Sequence, residues 1–75
     1  MDLAEIRKKI DKLDDEIISL LEKRLDLACQ TKKFKTHIVD KEREKEILRK
    51  ISSKDICEIY RLIFHYSKKK QAELS

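Results

Sequence analysis

The 75-residue chain contains no glycine, no proline and no tryptophan. Positive-φ turns, tight hairpins and phosphate-binding loops depend on glycine, so its absence argues against a β-rich fold and excludes a glycine-rich nucleotide cradle. Aromatic residues are only 5% of the chain, which leaves few platforms for stacking nucleic-acid bases. No apolar run approaches the roughly 18 residues of a membrane span, and no signal peptide opens the chain. We therefore expect residues 1–75 to form one soluble, cytoplasmic domain with no membrane contact.

The cysteines, the histidines and the net charge exclude only a few of the possible functions. Cys29 and Cys57 lack metal-site spacing and are too few for a disulfide framework, so we expect two buried, reduced thiols. His37 and His65 have no partners at ligand spacing and are expected on the surface, so we expect no metal site. The 19 basic and 15 acidic residues give a net charge of +4. This excess suits an anionic partner without identifying one.

The hydrophobic pattern predicts three helices. In the first, from about Asp2 to about Lys35, apolar residues recur at alternating three- and four-residue steps, as is typical of packed helices. Asp40 is expected to cap a second helix over Lys41–Ile51, and a third helix follows a break and spans about Asp55–Leu74. The residues expected to face inward from the second and third helices are Ile47, Leu48, Ile51, Ile56, Ile59, Tyr60, Ile63, Phe64 and Leu74.

The first predicted helix is too long for a compact domain of this size. About 34 residues span about 50 Å at a rise of 1.5 Å per residue. A compact 75-residue globule has an expected radius of gyration of about 11 Å and a diameter of about 30 Å. The apolar seam continues along the overhang and needs a partner, most simply a second copy of the chain. We therefore expect an all-α fold with three helices per chain, assembled as an intertwined helical homodimer.

Polar residues interrupt the apolar seam of the first helix. Arg24 occupies a position where the seam requires an apolar residue, and a buried guanidinium is costly unless it is paired. Arg24 therefore either meets a carboxylate of the protein or receives an anionic ligand. Lys35 follows about three turns later on the same face, while Arg7 is too far along the helix to share a small ligand. In an antiparallel dimer, however, Arg7 of one chain could approach Arg24 of the other, although Arg7 and Lys35 taken singly also fit ordinary solvated charge.

The other two helices carry similar interruptions. Ser67 and Gln71 lie one turn apart on the inward stripe of the third helix, where fraying near the end of the helix is the alternative explanation. Glu44 begins the inward stripe of the second helix, and Arg43 beside it has a simple alternative role as the partner of a nearby acid. Together with Arg24, these side chains suit a small polyanion that also carries a hydroxyl group. They offer no activated nucleophile.

The order and spacing of these polar residues resemble those of a known family. Residues 6–14, with the sequence IRKKIDKLD, resemble the opening of the all-α chorismate mutases, and the family's spacing continues through LLEKR at 20–24, Lys35, Asp40, ERE at 42–44, Ser67 and Gln71. Each piece is weakly specific. The signal comes from all eight polar site positions occurring in order on three helices across essentially the whole chain.

The resemblance implies a fold, a reaction and a set of roles. It implies an intertwined dimer that converts chorismate to prephenate by a Claisen rearrangement, on the route to phenylalanine and tyrosine. The rearrangement is intramolecular and pericyclic, so the enzyme has to hold the diaxial substrate and stabilise a polarised transition state, without a cofactor. The resemblance implies that Arg24, Ser67 and Arg7 of the partner subunit bind the carboxylates, and that Lys35 and Gln71 donate hydrogen bonds to the ether oxygen. It also implies that Glu44, with the backbone at Asp40, accepts a hydrogen bond from the ring hydroxyl. Arg43 would support the site.

The loop between Lys35 and Asp40 departs from the pattern of the family. Only four residues separate Lys35 from Asp40, where familiar members have a longer loop. This difference affects how Asp40 and Glu44 reach a ligand.

Three other functions compete with this one. An isochorismate pyruvate-lyase has the same fold and also binds a dicarboxylate. A helical dimerisation module explains the seam but not the polar residues that interrupt it. A nucleic-acid binder would depend on the run Lys68–Lys70, which we interpret as a solvated helix end, so we expect no nucleic-acid partner.

Overall fold

The computed structural model describes residues 1–31 and 41–73, which form three helices: α1 (Leu3–Gln30), α2 (Lys41–Arg49) and α3 (Lys54–Glu73). The described residues contain no strand. The molecule measures 51 × 25 × 15 Å, with a radius of gyration of 15.3 Å. The predicted all-α fold with three helices and a long first helix is confirmed, and the molecule is elongated because α1 extends beyond the other two helices.

Helix α1 begins where its sequence predicts and ends earlier. Its 28 residues start after Asp2, whose side-chain oxygen accepts a 2.9 Å hydrogen bond from the backbone N–H of Glu5, the usual N-cap arrangement. Thr31 was expected inside the helix but is its C-cap residue, and its hydroxyl donates a 2.7 Å bond to the carbonyl of Ala28. The rest of the predicted helix, residues 32–35, lies outside the described residues.

The junction between α2 and α3 is short and capped. Helix α2 ends at Arg49, two residues before the predicted end, and a turn follows in which the Ile51 N–H bonds the Leu48 carbonyl at 3.1 Å. Ser53 caps α3, because its hydroxyl oxygen accepts from the N–H of Ile56 at 3.3 Å. The predicted cap of α2, Asp40, and the last residue of the predicted third helix, Leu74, lie outside the described residues.

Helix α3 forms the centre of the fold. It packs against both α1 and α2, and it supplies the three buried residues of the described chain, Phe64, Ser67 and Gln71, each 7% exposed. The Phe64 ring packs edge-on against Tyr60, with 5.9 Å between the ring centroids. Two of these three buried residues are polar, so the interior that residues 1–31 and 41–73 form is small and unusually hydrophilic.

Several residues are more exposed than predicted. Ile47, Leu48 and Ile51 are half-buried, in agreement with their predicted inward positions. Ile56 and Ile59, also predicted to face inward, are 46% and 55% exposed, because the contacts of α3 with α1 and α2 use a different face of that helix. Cys29 and Cys57 are free as expected but half-buried instead of buried.

The first five turns of α1 have almost no cover in the single chain. Every residue from 1 to 20 is exposed, although the predicted apolar seam runs through this part of the helix. The large apolar side chains exposed along α1 are Leu3, Ile6, Ile10, Leu13, Ile17, Ile18, Leu20 and Leu27. Within residues 1–31 and 41–73, no helix combines the length and the apolar character needed to cross a bilayer.

Candidate functional site

Arg24 lies at the contact between α1 and α3. Its Nη1 donates a 2.9 Å hydrogen bond to the hydroxyl of Ser67, and its guanidinium carbon lies 5.5 Å from the centre of the Phe64 ring. The side chain is half-buried. No carboxylate in the described residues pairs with it, so the protein ion pair considered for Arg24 does not occur among these residues. A guanidinium offers five N–H donors in a planar fork, and a single neutral hydroxyl uses only one of them.

Ser67 orients the guanidinium from a fixed position. Its hydroxyl donates a 2.8 Å bond to the carbonyl of Ile63, one turn earlier in α3, and accepts the bond from Arg24. The direction of donation is set by the partners, because a carbonyl can only accept and a guanidinium can only donate. Ser67 was predicted to lie on the inward face of the third helix, and its burial confirms that position.

Gln71 lies one turn beyond Ser67 and contacts the end of α1. Its Nε2 donates a 2.8 Å hydrogen bond to the carbonyl of Ala28 and a longer one of 3.4 Å to the hydroxyl oxygen of Thr31. Because the Ala28 carbonyl is a pure acceptor, the amide nitrogen has to face α1. Gln71 is buried, so fraying does not account for this polar residue.

Glu44 contacts α3 from α2, whereas Arg24 contacts α3 from α1. Its Oε2 lies 3.0 Å from the Nζ of Lys68, and the side chains of Glu44 and Lys68 are 24% and 33% exposed. Lys68 follows Ser67 directly, so α3 binds α1 through one residue and α2 through the next. The predicted inward position of Glu44 is confirmed in this half-buried form.

An open cavity of about 280 Å³ lies between α2 and α3 beside this ion pair. Phe64 connects this cavity with the Arg24 contact, because Phe64 lines the cavity and its ring also faces Arg24. His65, which also lines it, is exposed as predicted. The residues lining the cavity are Glu44, Leu48, Arg61, Phe64, His65 and Lys68.

The structure brings together only part of the predicted site. Arg24, Ser67 and Gln71 cluster at the α1–α3 contact, Glu44 is held against α3, and Arg43 is exposed on α2. The remaining predicted residues are elsewhere: Arg7 is exposed seventeen residues before Arg24, about 25 Å along α1, and Lys35 and Asp40 lie outside the described residues.

Sequence reasoning missed two residues of this cluster. Lys68 was interpreted as part of a solvated helix end, but it is half-buried and pairs with Glu44, so that interpretation is wrong for Lys68. Helical spacing gave no signal that separates Lys68 from Lys69 and Lys70, because the partner of Lys68 lies on another helix. Thr31 was expected only as a residue inside the first helix, whereas its hydroxyl contacts both Ala28 and Gln71.

The chemistry available at the cluster is binding and electrostatic stabilisation. Arg24 supplies a fork of cationic donors, Gln71 a neutral donor and Glu44 an acceptor, on three helices. Among the described residues, no group of three or more histidine, cysteine or acidic side chains is arranged to hold a metal ion. The arrangement defines an all-α domain with a cationic, hydrogen-bonding cluster suited to a small anion.

Comparison of the sequence with known protein families identifies the family to which this all-α domain belongs. The family model for type II chorismate mutases matches residues 6–72, which is most of the chain and includes all eight predicted site positions. The chain therefore belongs to the type II chorismate mutase family. No curated protein and no solved structure gives a significant match.

Proposed function

We propose that this chain is an isomerase that converts chorismate to prephenate at a site built around Arg24, Ser67 and Gln71. The observation that carries the proposal is the environment of Arg24. A half-buried guanidinium bonds a neutral hydroxyl and faces an aromatic ring, without a carboxylate partner among the described residues. Such a cation is suited to an anionic ligand, since desolvated charges require compensation. Family membership supports chorismate, a dicarboxylate, as that ligand.

The proposed reaction needs only the kinds of group that the cluster contains. The Claisen rearrangement breaks the ether C–O bond and forms a C–C bond within one molecule, so no nucleophile or proton relay takes part. Catalysis then depends on holding the reactive diaxial conformer and on stabilising the negative charge that develops on the ether oxygen. Preoriented donors in a partly desolvated site supply both effects.

We assign the ether oxygen to Gln71 and Lys35. The Nε2 of Gln71 already bonds the Ala28 carbonyl at 2.8 Å, which fixes the amide, while its contact with Thr31 at 3.4 Å is long enough to be replaced. The ether oxygen would take the position of the Thr31 hydroxyl as acceptor of the second N–H. Lys35 would add a charged donor to the same oxygen and lie close to a carboxylate.

The remaining groups would hold the two carboxylates and the ring hydroxyl. Arg24 would bind one carboxylate through two N–H groups, which fixes orientation as well as charge, and Ser67 would contact the same group. Glu44, with the backbone at Asp40, would accept a hydrogen bond from the ring hydroxyl. Arg43 would support this side of the site.

The second carboxylate would be bound by Arg7 of the partner subunit in an intertwined homodimer. Arg7 and Arg24 are about 25 Å apart along one rigid helix, so they cannot hold one small ligand within a single chain. The exposed apolar residues of α1 supply a reason for association, since burying one leucine or isoleucine side chain contributes about 1.5–3 kcal/mol. A dimer of two 9.0 kDa chains has a mass of 18 kDa, which sedimentation equilibrium would measure. A 9.0 kDa particle at assay concentrations would contradict the dimer.

The pathway follows from the proposed reaction. Prephenate is the precursor of phenylalanine and tyrosine, so we place the chain in the biosynthesis of these amino acids. We propose that it acts in the cytoplasm, without a cofactor, a nucleic-acid partner or a membrane.

The direct test is a continuous ultraviolet assay of chorismate consumption, followed by acid treatment of the product. Acid converts prephenate to phenylpyruvate, so consumption of chorismate with formation of phenylpyruvate is the expected result. Release of pyruvate from isochorismate, without phenylpyruvate from chorismate, would identify a lyase instead. A folded chain that leaves both compounds unchanged would reject an enzymatic role and favour a helical interaction module.

A further inference from the structure

We propose that Lys68 is a positioning residue that holds the Glu44 carboxylate in place for the ligand's hydroxyl group. The inference deepens the proposed function and depends on it. Nothing in the sequence pattern distinguished Lys68 from its two lysine neighbours, and the structure alone separates them. Lys68 pairs with Glu44, whereas Lys69 and Lys70 are exposed.

The geometry of α3 makes Lys68 the link between the two halves of the cluster. Ser67 and Gln71 bond groups on α1, whereas Lys68 reaches α2. Adjacent residues on a helix point about 100° apart, which is why one short segment can contact helices on two sides. The Lys68–Glu44 pair thereby fixes where the carboxylate on α2 stands relative to the donors on α3.

The burial of this pair distinguishes it from an ordinary surface pair. The N–O distance is 3.0 Å and the two side chains are 33% and 24% exposed. An exposed pair on α2, Lys45 with Glu42, has a distance of 3.7 Å and exposures of 63% and 81%. Short, partly buried pairs are less screened by solvent than exposed ones, and a hydrogen bond between charged groups fixes direction. Exposed pairs at this spacing contribute little.

The proposed chemistry explains why Glu44 needs such a partner. A carboxylate that accepts from the ligand's hydroxyl would also repel the ligand's two carboxylates, and the ammonium of Lys68 offsets that repulsion. Lys68 bonds Oε2 of Glu44, so Oε1 is the atom that would accept from the ligand's hydroxyl. Helix α2 has only nine residues and is too short to be stable alone, so its attachment to α3 determines the position of Glu44.

The experiment compares kcat and KM of the wild-type protein with those of Lys68→Met, Lys68→Arg and the control Lys45→Met. We expect Lys68→Met to lower kcat by about tenfold to a hundredfold, as displaced catalytic groups do, with a smaller change in KM. Lys68→Arg should recover most of the loss because a guanidinium also bonds a carboxylate. Lys45→Met should leave both constants unchanged, since it removes a pair of the same charge type outside the site.

A double-mutant cycle with Glu44→Gln separates positioning from direct contact. If Lys68 acts through Glu44, Lys68→Met has little further effect in the Glu44→Gln background. An equal loss in both backgrounds, or a loss confined to KM, would mean that Lys68 binds the ligand itself and would overturn the inference. Wild-type kinetics for Lys68→Met would also overturn it. An inactive wild-type chain would instead reject the proposed function, so the two failures are distinguishable.

Discussion

The guanidinium of Arg24 donates a 2.9 Å hydrogen bond to the hydroxyl of Ser67, 43 residues further along the chain. This bond joins the long first helix to the central helix α3, and both of its partners interrupt apolar stripes. The hydroxyl donates in turn to the carbonyl of Ile63, so it is fixed before any ligand arrives. The bond therefore holds a cation in a defined orientation without neutralising its charge.

Replacement of Ser67 by alanine should affect activity more than stability. Ser67→Ala removes the bond that orients Arg24, and we expect kcat/KM to fall about tenfold because a hydrogen bond to a charged group contributes about 1.5 kcal/mol or more. Steady-state kinetics and urea unfolding measure the two effects. Ser53→Ala is the matched control, because it removes the cap of α3 and should cost about 1 kcal/mol of stability with kcat/KM unchanged. If Ser67→Ala lowered the free energy of unfolding and left kcat/KM unchanged, the Arg24–Ser67 bond would be structural.

Replacement of Gln71 by glutamate should make activity strongly dependent on pH. A protonated carboxyl group can donate to the ether oxygen, whereas an ionised one repels the charge that develops there. The ordinary pKa of a glutamate is about 4.3, and burial would raise the pKa of the introduced group. The activity of Gln71→Glu is therefore present below that pKa and is lost as the pH rises through it.

The measurement for Gln71→Glu is kcat/KM from about pH 4.5 to about pH 8, a range that begins near the ordinary glutamate pKa. We expect a decline of about tenfold per pH unit above the pKa of the introduced group, since only the protonated fraction is active. The wild-type protein, measured in the same buffers, controls for other titrations. A Gln71→Glu profile parallel to that of the wild type would remove Gln71 from the reacting atoms.

Mixed dimers should show whether Arg7 acts across the subunit interface. Arg7→Ala and Arg24→Ala chains should each be nearly inactive alone. After unfolding together and refolding at equal concentrations, heterodimers would contain one site with both arginines intact. Random pairing then restores about one quarter of the wild-type activity per chain.

The matched control mixes the wild type with the double variant Arg7→Ala/Arg24→Ala. If each site takes its two arginines from different chains, the mixture retains about one quarter of the wild-type activity, and if from one chain, about one half. No recovery in the first mixture, together with one half in the second, would exclude a shared site.

The sequence predicted the helices well because their signals are local. The three- and four-residue steps of the seam define α1, and capping side chains at Asp2 and Ser53 determine where α1 and α3 begin. The polar interruptions at Ser67 and Gln71 could also be identified, since both are buried as their helical positions indicate.

The errors arose where the outcome depends on a neighbouring element. Helical periodicity indicates which residues share a face, but not which face another helix covers. Ile56 and Ile59 were therefore expected inside and are exposed. Lys68 was assigned to solvent for the same reason, because only the position of Glu44 on α2 gives it a partner. The site roles taken from the family resemblance stay predictions.

We propose that Arg24 interrupts an apolar seam in order to bind the ligand, and the variant Arg24→Leu separates this claim from a structural role. Both chorismate turnover and the free energy of unfolding should be measured on this variant. We expect kcat/KM to fall by at least about a hundredfold, as when a transition-state donor is removed, while the free energy of unfolding stays equal or rises because a desolvated charge has gone. Retained turnover, or a loss of stability large enough to account for the lost activity, would contradict the claim.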